Sequence, residues 1–115
     1  MTVQLNKEEL LANFMDDEEL LFESIDLFLE RADQRYGLLD TAVKDRDEKR
    51  VMEEGHTLKG MVAIFTQDTP YEAAKTLEFM GRNKDLTGVD EALGRFKTEL
   101  DDLKDALKQW RDGGA

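Results

Sequence analysis

Residues 51–65 read VMEEGHTLKGMVAIF, and this stretch decides how the chain folds. Its apolar or small positions recur at steps of four, three, four and three, which is the spacing of a buried stripe on an α-helix. The stripe consists of Val51, Gly55, Leu58, Val62 and Phe65. We therefore predict a helix that turns this side towards a core.

A second line of residues runs down a different side of the same predicted helix. It consists of Met52, His56, Lys59, Gly60 and Ala63. Glycine in the middle of a helix costs about 1 kcal/mol relative to alanine, so Gly60 implies either a closely packed neighbouring helix or access for a partner to His56. Gly60 lies about 40° from His56 and on the side turned away from the stripe, which favours access. The pattern predicts an exposed imidazole, from the only histidine of the chain, beside a cation and a gap.

Length and charge restrict the class of protein. With 115 residues the chain has the length of one domain, and we predict a single domain over residues 1–115. Its 27 acidic and 16 basic side chains give a formal net charge of -11. A polyanion would be repelled, and the basic residues are scattered among acids instead of forming a patch. The composition therefore argues against nucleic acid as a partner.

Metal sites, thiol chemistry and membrane spans find little support in the sequence. The chain has no cysteine, which excludes disulfides, thiolate catalysis and cysteine zinc sites. The carboxylate clusters at 16–19 and 101–102 lack the spaced oxygens and the glycine of a calcium loop. No apolar run approaches the ~20 residues that cross a bilayer, and the start MTVQLNKEELL is charged where a signal peptide is apolar. We expect a soluble, cytoplasmic protein without a metal ion.

The first half of the chain carries clear helix signals. Asn6 followed by Glu9 has the form of a capping box, which predicts a short first helix. Asp16 and Asp17 are the next cap candidates, and an apolar stripe then predicts one long helix to about Lys44.

The second half repeats these signals. A turn at 45–47 begins the His56 helix, which we expect to end at about Gln67. Thr69 as N-cap, with Pro70 in the first turn, predicts a fourth helix that stops at a left-handed Gly81. The cap of the last helix is predicted at Thr87. Its apolar stripe is Val89, Leu93, Phe96, Leu100, Leu103, Leu107 and Trp110, and residues 113–115 are expected to form a disordered tail.

These helices predict an all-α fold. Amphipathic helices joined by short loops lie antiparallel to their neighbours, so we expect an up-and-down four-helix bundle with a short N-terminal helix across one end. The stripe of the last helix also has the period of a dimeric coiled coil. A shared core explains the same stripe, because every other helix carries a matching one, and we therefore expect a monomer.

The sequence HTLKG at 56–60 resembles the signature H-x-L-K-G of the histidine-containing phosphotransfer (HPt) domains of two-component phosphorelays. The likeness extends to DDEELLFESIDLFLE at 16–30, which resembles the family's second helix. Asp47 occupies the acidic position that commonly precedes the histidine helix, and Leu77-Glu78 falls at the family's usual distance beyond the histidine. The chain departs from the family at 61–62, where Met and Val replace the usual small residues.

The resemblance implies that His56 accepts a phosphoryl group from an aspartyl phosphate on one receiver domain and passes it to an aspartate on another. Such receivers belong to response regulators or hybrid sensor kinases, and they supply magnesium, so this chain needs no cofactor of its own. Lys59 would stabilise the phosphoryl group, and Gly60 would leave room for the receiver. Residues implied to dock the receiver are Met52, Gly55 and Ala63. Arg82, in the loop expected after the fourth helix, is a weaker candidate for contacting the phosphoryl group or the partner.

Two other functions remain open from the sequence. A helical adaptor could use the same side of the His56 helix to bind a partner without being phosphorylated. Alternatively, the chain could be the phosphoacceptor domain of a larger chemotaxis-type histidine kinase. The sequence contains no nucleotide-binding glycine motif, so we expect a phosphocarrier without ATP-dependent kinase activity.

Overall fold

The structure, a computed structural model, describes residues 5–113 and leaves out the side chain of Lys7. Five helices follow one another, and no strand occurs within the described range. They are α1 (Lys7–Asn13), α2 (Glu18–Lys44), α3 (Glu48–Ala63), α4 (Thr69–Arg82) and α5 (Val89–Gly113). None of these helices is both long enough and apolar enough to span a membrane.

The four longer helices form a closed ring. Helix α3 packs between α2 and α4, and α5 closes the ring by packing against both α4 and α2, while α1 packs on α2. Two ion pairs between α2 and α5, Asp26 with Arg111 and Asp33 with Lys104, show that these helices run antiparallel. The predicted all-α bundle with a short N-terminal helix is confirmed.

The predicted stripes form the core. In α3, the side chains of Val51, Leu58 and Val62 are fully buried, and Phe65 lies just beyond the helix with 7% exposure. All seven positions of the α5 stripe are buried within the chain, including Trp110 at 9% exposure. Burying each such side chain contributes roughly 1.5–3 kcal/mol, so this shared core stabilises the fold.

Three helix starts follow the predicted capping chemistry. The side chain of Asn6 accepts from the backbone N–H of Glu9 at 3.1 Å, and Asp17 accepts from Leu20 at the same distance. Asp47 caps α3 by accepting from Arg50 at 3.2 Å. These bonds satisfy N–H groups that have no partner inside the first turn of a helix.

Several predicted boundaries were wrong. Helix α3 ends at Ala63, four residues before the predicted Gln67. Helix α4 begins after Asp68, so Thr69 is its first residue and not its cap, and the Thr69 hydroxyl donates to Glu99 on α5 at 2.6 Å. The last helix begins at Val89, after Gly88 with φ 78, so Thr87 is not its cap. Of the predicted tail, residue 113 belongs to α5, and residues 114 and 115 lie outside the described range.

The sequence predicts that a left-handed Gly81 ends α4, and this prediction is wrong. The helix continues to Arg82, and the left-handed residue is Lys84 with φ 55. Gly81 is buried against α3, where an added Cβ would lie 2.6 Å from the carbonyl oxygen of Glu48. Its lack of a side chain therefore lets α3 and α4 approach closely.

Candidate functional site

A buried carboxylate stands at the contact between α3 and α4. Glu78 on α4 is 1% exposed, and it is the only charged residue in the buried set of the described chain. It lies against Gly55 of α3, where an added Cβ would be 2.9 Å from the backbone nitrogen of Glu78. The two glycines at this contact, Gly55 and Gly81, thus bring the Glu78 side chain within reach of polar groups on α3.

Three positively charged or protonatable side chains converge on this carboxylate. His56 Nδ1 lies 3.2 Å from Glu78 Oε2, and Arg82 Nη2 lies 2.5 Å from the same oxygen. Lys59 Nζ lies 2.7 Å from Oε1, as an ion pair without the alignment of a hydrogen bond. We call Glu78, His56, Lys59 and Arg82 the Glu78 cluster.

The cluster keeps Glu78 ionised. Burial raises the pKa of this carboxyl, but the positive charge of Lys59, the Nδ1 donor of His56 and the positive charge of Arg82 outweigh burial and hold the pKa below its ordinary value. A carboxyl whose pKa is lowered by folding stabilises the folded protein at any pH above the pKa of the unfolded chain. This stabilisation is lost as the pH falls through the lowered pKa of the folded protein. Glu78 is therefore a carboxylate at neutral pH, and it acts only as an acceptor.

The orientation of the His56 ring follows from that charge. Because a carboxylate only accepts, Nδ1 of the neutral ring carries the proton and donates to Glu78 Oε2. Nε2 then has a free lone pair. The His56 side chain is 68% exposed, so the ring is bound to a buried carboxylate on one side and is accessible from solvent on the other. Such an imidazole can act as a nucleophile towards a group presented by another molecule.

A sequence model of the Hpt domain family matches residues 23–110, which is most of the chain. The chain belongs to the Hpt family. Hpt domains carry a phosphoryl group on histidine in two-component phosphorelays, and this chain is a histidine phosphotransfer protein. Members of the family are phosphocarriers and not kinases.

The fold of the Hpt domain agrees with a solved structure. The crystal structure of histidine-containing phosphotransfer protein B (HptB) from Pseudomonas aeruginosa PAO1 is similar to it, with a TM-score of 0.85 and 19% sequence identity. The match covers 94% of each chain. No curated protein sequence matches the chain.

The structure brings three of the predicted site residues of the Hpt domain together. His56, Lys59 and Arg82 all contact Glu78. Arg82 was predicted in a loop as a candidate contact, but it is the last residue of α4, and its guanidinium is paired within the chain. Lys59 is 20% exposed and points to Glu78, so its predicted contact with a phosphoryl group stays a prediction.

Gly60 lies beside the cluster and is open. An added Cβ would meet no atom within 4 Å, so close packing of another helix of this chain does not explain the glycine. The access hypothesis remains. Among the described residues, no group of three or more metal-binding side chains could hold a metal ion.

The predicted docking residues fall into two groups. Met52 and Ala63 are half-buried on the side of α3 that carries His56. Gly55 is buried against Glu78, so its predicted place on a docking surface was wrong. It serves the contact between α3 and α4 instead.

Sequence reasoning gave no role to Glu78 or to an exposed apolar patch. This patch consists of Leu27 on α2, Met61 on α3 and Ile64 at the end of α3, which line one groove. Leu27 is 46% exposed and Ile64 49% exposed. A signal for Glu78 was present, because Arg82 follows it at the i,i+4 spacing of a helix ion pair. The patch also had a signal, because Ile64 is apolar but does not belong to the predicted buried stripe of its helix.

Proposed function

We propose that His56 is the residue of this Hpt domain that carries the phosphoryl group, and that it receives the group from an aspartyl phosphate of a receiver domain. The observation that carries the proposal is the exposed imidazole whose Nδ1 is bound by a buried carboxylate 3.2 Å away. This bond fixes the ring and leaves Nε2 free. Phosphoryl transfer depends mainly on positioning and charge stabilisation, so a protein without a deep pocket can take part in it.

The proposed step is an in-line displacement at phosphorus. The lone pair of Nε2 forms the N–P bond as the bond between phosphorus and the aspartate oxygen breaks, and the electron pair of that bond returns to the aspartate carboxylate. The ring keeps its proton on Nδ1 and gains positive charge. Glu78 Oε2, the acceptor of that proton, stabilises the charge as it develops. The reverse step on a second receiver regenerates neutral His56.

The other parts of the reaction are assigned to the partner or to neighbouring residues. We assign the magnesium ion to the receiver, and no cofactor and no ATP-dependent kinase activity to this chain. Gly60, where an added Cβ would meet no atom of a packed neighbour within 4 Å, would leave room for the receiver's loops. Lys59 would screen the phosphoryl charge from Glu78, since its ammonium already neutralises Oε1. The cytoplasmic location and the monomeric state stay predictions.

We place the receiver on the open side of α3 that faces α2. Gly60 and Ile64 follow His56 at four-residue steps, about 40° and 80° around the helix from His56. The apolar patch of Leu27, Met61 and Ile64 therefore continues the exposed surface of His56 towards α2. Exposed apolar side chains beside a reactive residue are typical of a protein interface.

Leu27→Asp is expected to weaken binding of the cognate receiver about tenfold or more. Burying a leucine side chain in an interface is worth roughly 1.5–3 kcal/mol, and about 1.4 kcal/mol corresponds to a factor of ten. Isothermal titration calorimetry measures the effect. Thr98→Asp adds the same charge to an exposed position of α5 and should leave the affinity unchanged. Equal affinities for both variants would remove Leu27 from the docking surface.

The function itself is tested with a receiver phosphorylated by a radiolabelled small-molecule phosphodonor. The expected result is label on this chain that is labile in acid and stable in base, with the phosphoryl group on Nε2 of His56. Base-labile label would indicate an acyl phosphate or another acceptor. Binding of the receiver without any label would instead support the adaptor function.

A further inference from the structure

One oxygen of Glu78 serves two donors. His56 Nδ1 lies 3.2 Å from Oε2, and Arg82 Nη2 lies 2.5 Å from the same atom. A carboxylate oxygen has two lone-pair sites, so both donors can bind, but they divide its negative charge between them. Arg82 carries a permanent positive charge, whereas a neutral imidazole carries none. Arg82 therefore takes the larger share of the oxygen that also binds His56.

Arg82 is held in this position by its own helix. It follows Glu78 at the i,i+4 spacing, and its guanidinium carbon lies 5.4 Å from the centre of the Phe79 ring. The side chain is 52% exposed, so it does not support the core. Removing the guanidinium should leave the packing of α3 on α4 in place.

The charges of the cluster do not balance. One negative charge on Glu78 meets two positive charges, on Lys59 and Arg82, before His56 gains any charge. When Nε2 bonds to phosphorus, the ring becomes positive, and Glu78 favours this form. Arg82 opposes it, because like charges in contact with the same carboxylate disfavour each other.

We propose that Arg82 is a positioning residue that limits how strongly Glu78 stabilises phosphorylated His56. This inference rests on the function proposed above. A carrier must release its phosphoryl group as well as accept it. By drawing charge from Oε2, Arg82 keeps the phosphoryl group easy to transfer from His56 to the next aspartate.

Arg82→Ala tests this inference in two ways. When the phosphoryl group equilibrates between receiver and carrier, the equilibrium constant is expected to shift roughly threefold to tenfold towards the phosphorylated carrier. In the unphosphorylated protein, the Nδ1 proton of His56 should move downfield in NMR spectra, because it then binds an undivided oxygen. Arg82→Lys should restore both properties in part. Lys84→Ala removes one exposed positive charge outside the Glu78 cluster and should change neither.

The opposite shift, towards the phosphorylated receiver, would mean that Arg82 binds the phosphoryl group directly, and it would overturn the inference. An Nδ1 proton resonance that does not move would overturn it as well. If the wild-type chain took up no phosphoryl group at all, the proposed function would fail. The NMR measurement needs no phosphorylation and would still decide whether Arg82 and His56 share Glu78.

Discussion

His56→Gln is expected to abolish phosphoryl acceptance while the bundle stays folded. Glutamine has no ring nitrogen with a free lone pair, so the N–P bond cannot form. Its amide can still donate to Glu78 and so occupy the place of Nδ1. Because His56 is 68% exposed, the free energy of unfolding should change by no more than about 0.5 kcal/mol. Transfer of label from a phosphorylated receiver and denaturant unfolding measure the two effects.

Lys49→Gln provides a matched control for this variant. Lys49 is exposed on the same helix and lies two turns before His56, so the substitution places the same side chain on the same surface. It should keep its phosphoryl acceptance. Label on His56→Gln at the level of this control would show that another residue carries the phosphoryl group.

Local chemistry explains which parts of the fold were predictable. Asn6, Asp17 and Asp47 cap their helices with bonds to residues three positions later, and such bonds depend on a few neighbouring residues. The apolar stripes were also readable, because burial follows the helical period. Thr69 is the first residue of α4 and not its cap, and its hydroxyl donates to a distant residue, Glu99. Only the packed structure brings these two residues together.

The candidate site also combines features that the sequence predicts with features that depend on packing between helices. The exposure of His56 and Gly60 was predicted from the sequence, because it follows from their place on the helix. The carboxylate that orients the ring was not assigned a role, since a glutamate is rarely buried without partners. Glu78 is buried because Gly55 and Gly81 let α3 and α4 approach, and its partners Lys59 and Arg82 come from both helices. The spacing of Glu78 and Arg82 within α4 is readable, but the pairing of Glu78 with Lys59 on α3 has no signature within either helix alone.

Gly81→Ala is expected to destabilise the protein by about 3 kcal/mol. The added methyl group would lie 2.6 Å from the carbonyl oxygen of Glu48 and 2.9 Å from Cα of Met52. Both are backbone atoms of α3, so no side-chain rotation relieves the overlap, and α4 must move away. The gain in helix propensity, about 1 kcal/mol, is smaller than this penalty. Urea unfolding at constant m-value measures the difference.

The same substitution at Gly37 should stabilise the protein instead of destabilising it. Gly37 is exposed within α2, and an added Cβ would meet no atom within 4 Å. Gly37→Ala should therefore stabilise the protein by about 0.4–1 kcal/mol, through helix propensity and a less flexible unfolded chain. Gly55→Ala provides a milder test of the contact between α3 and α4, since its Cβ would lie 2.9 Å from the Glu78 backbone nitrogen. If Gly81→Ala and Gly55→Ala were as stable as Gly37→Ala, the two helices would not pack at these glycines, and Glu78 would lose the burial that orients His56.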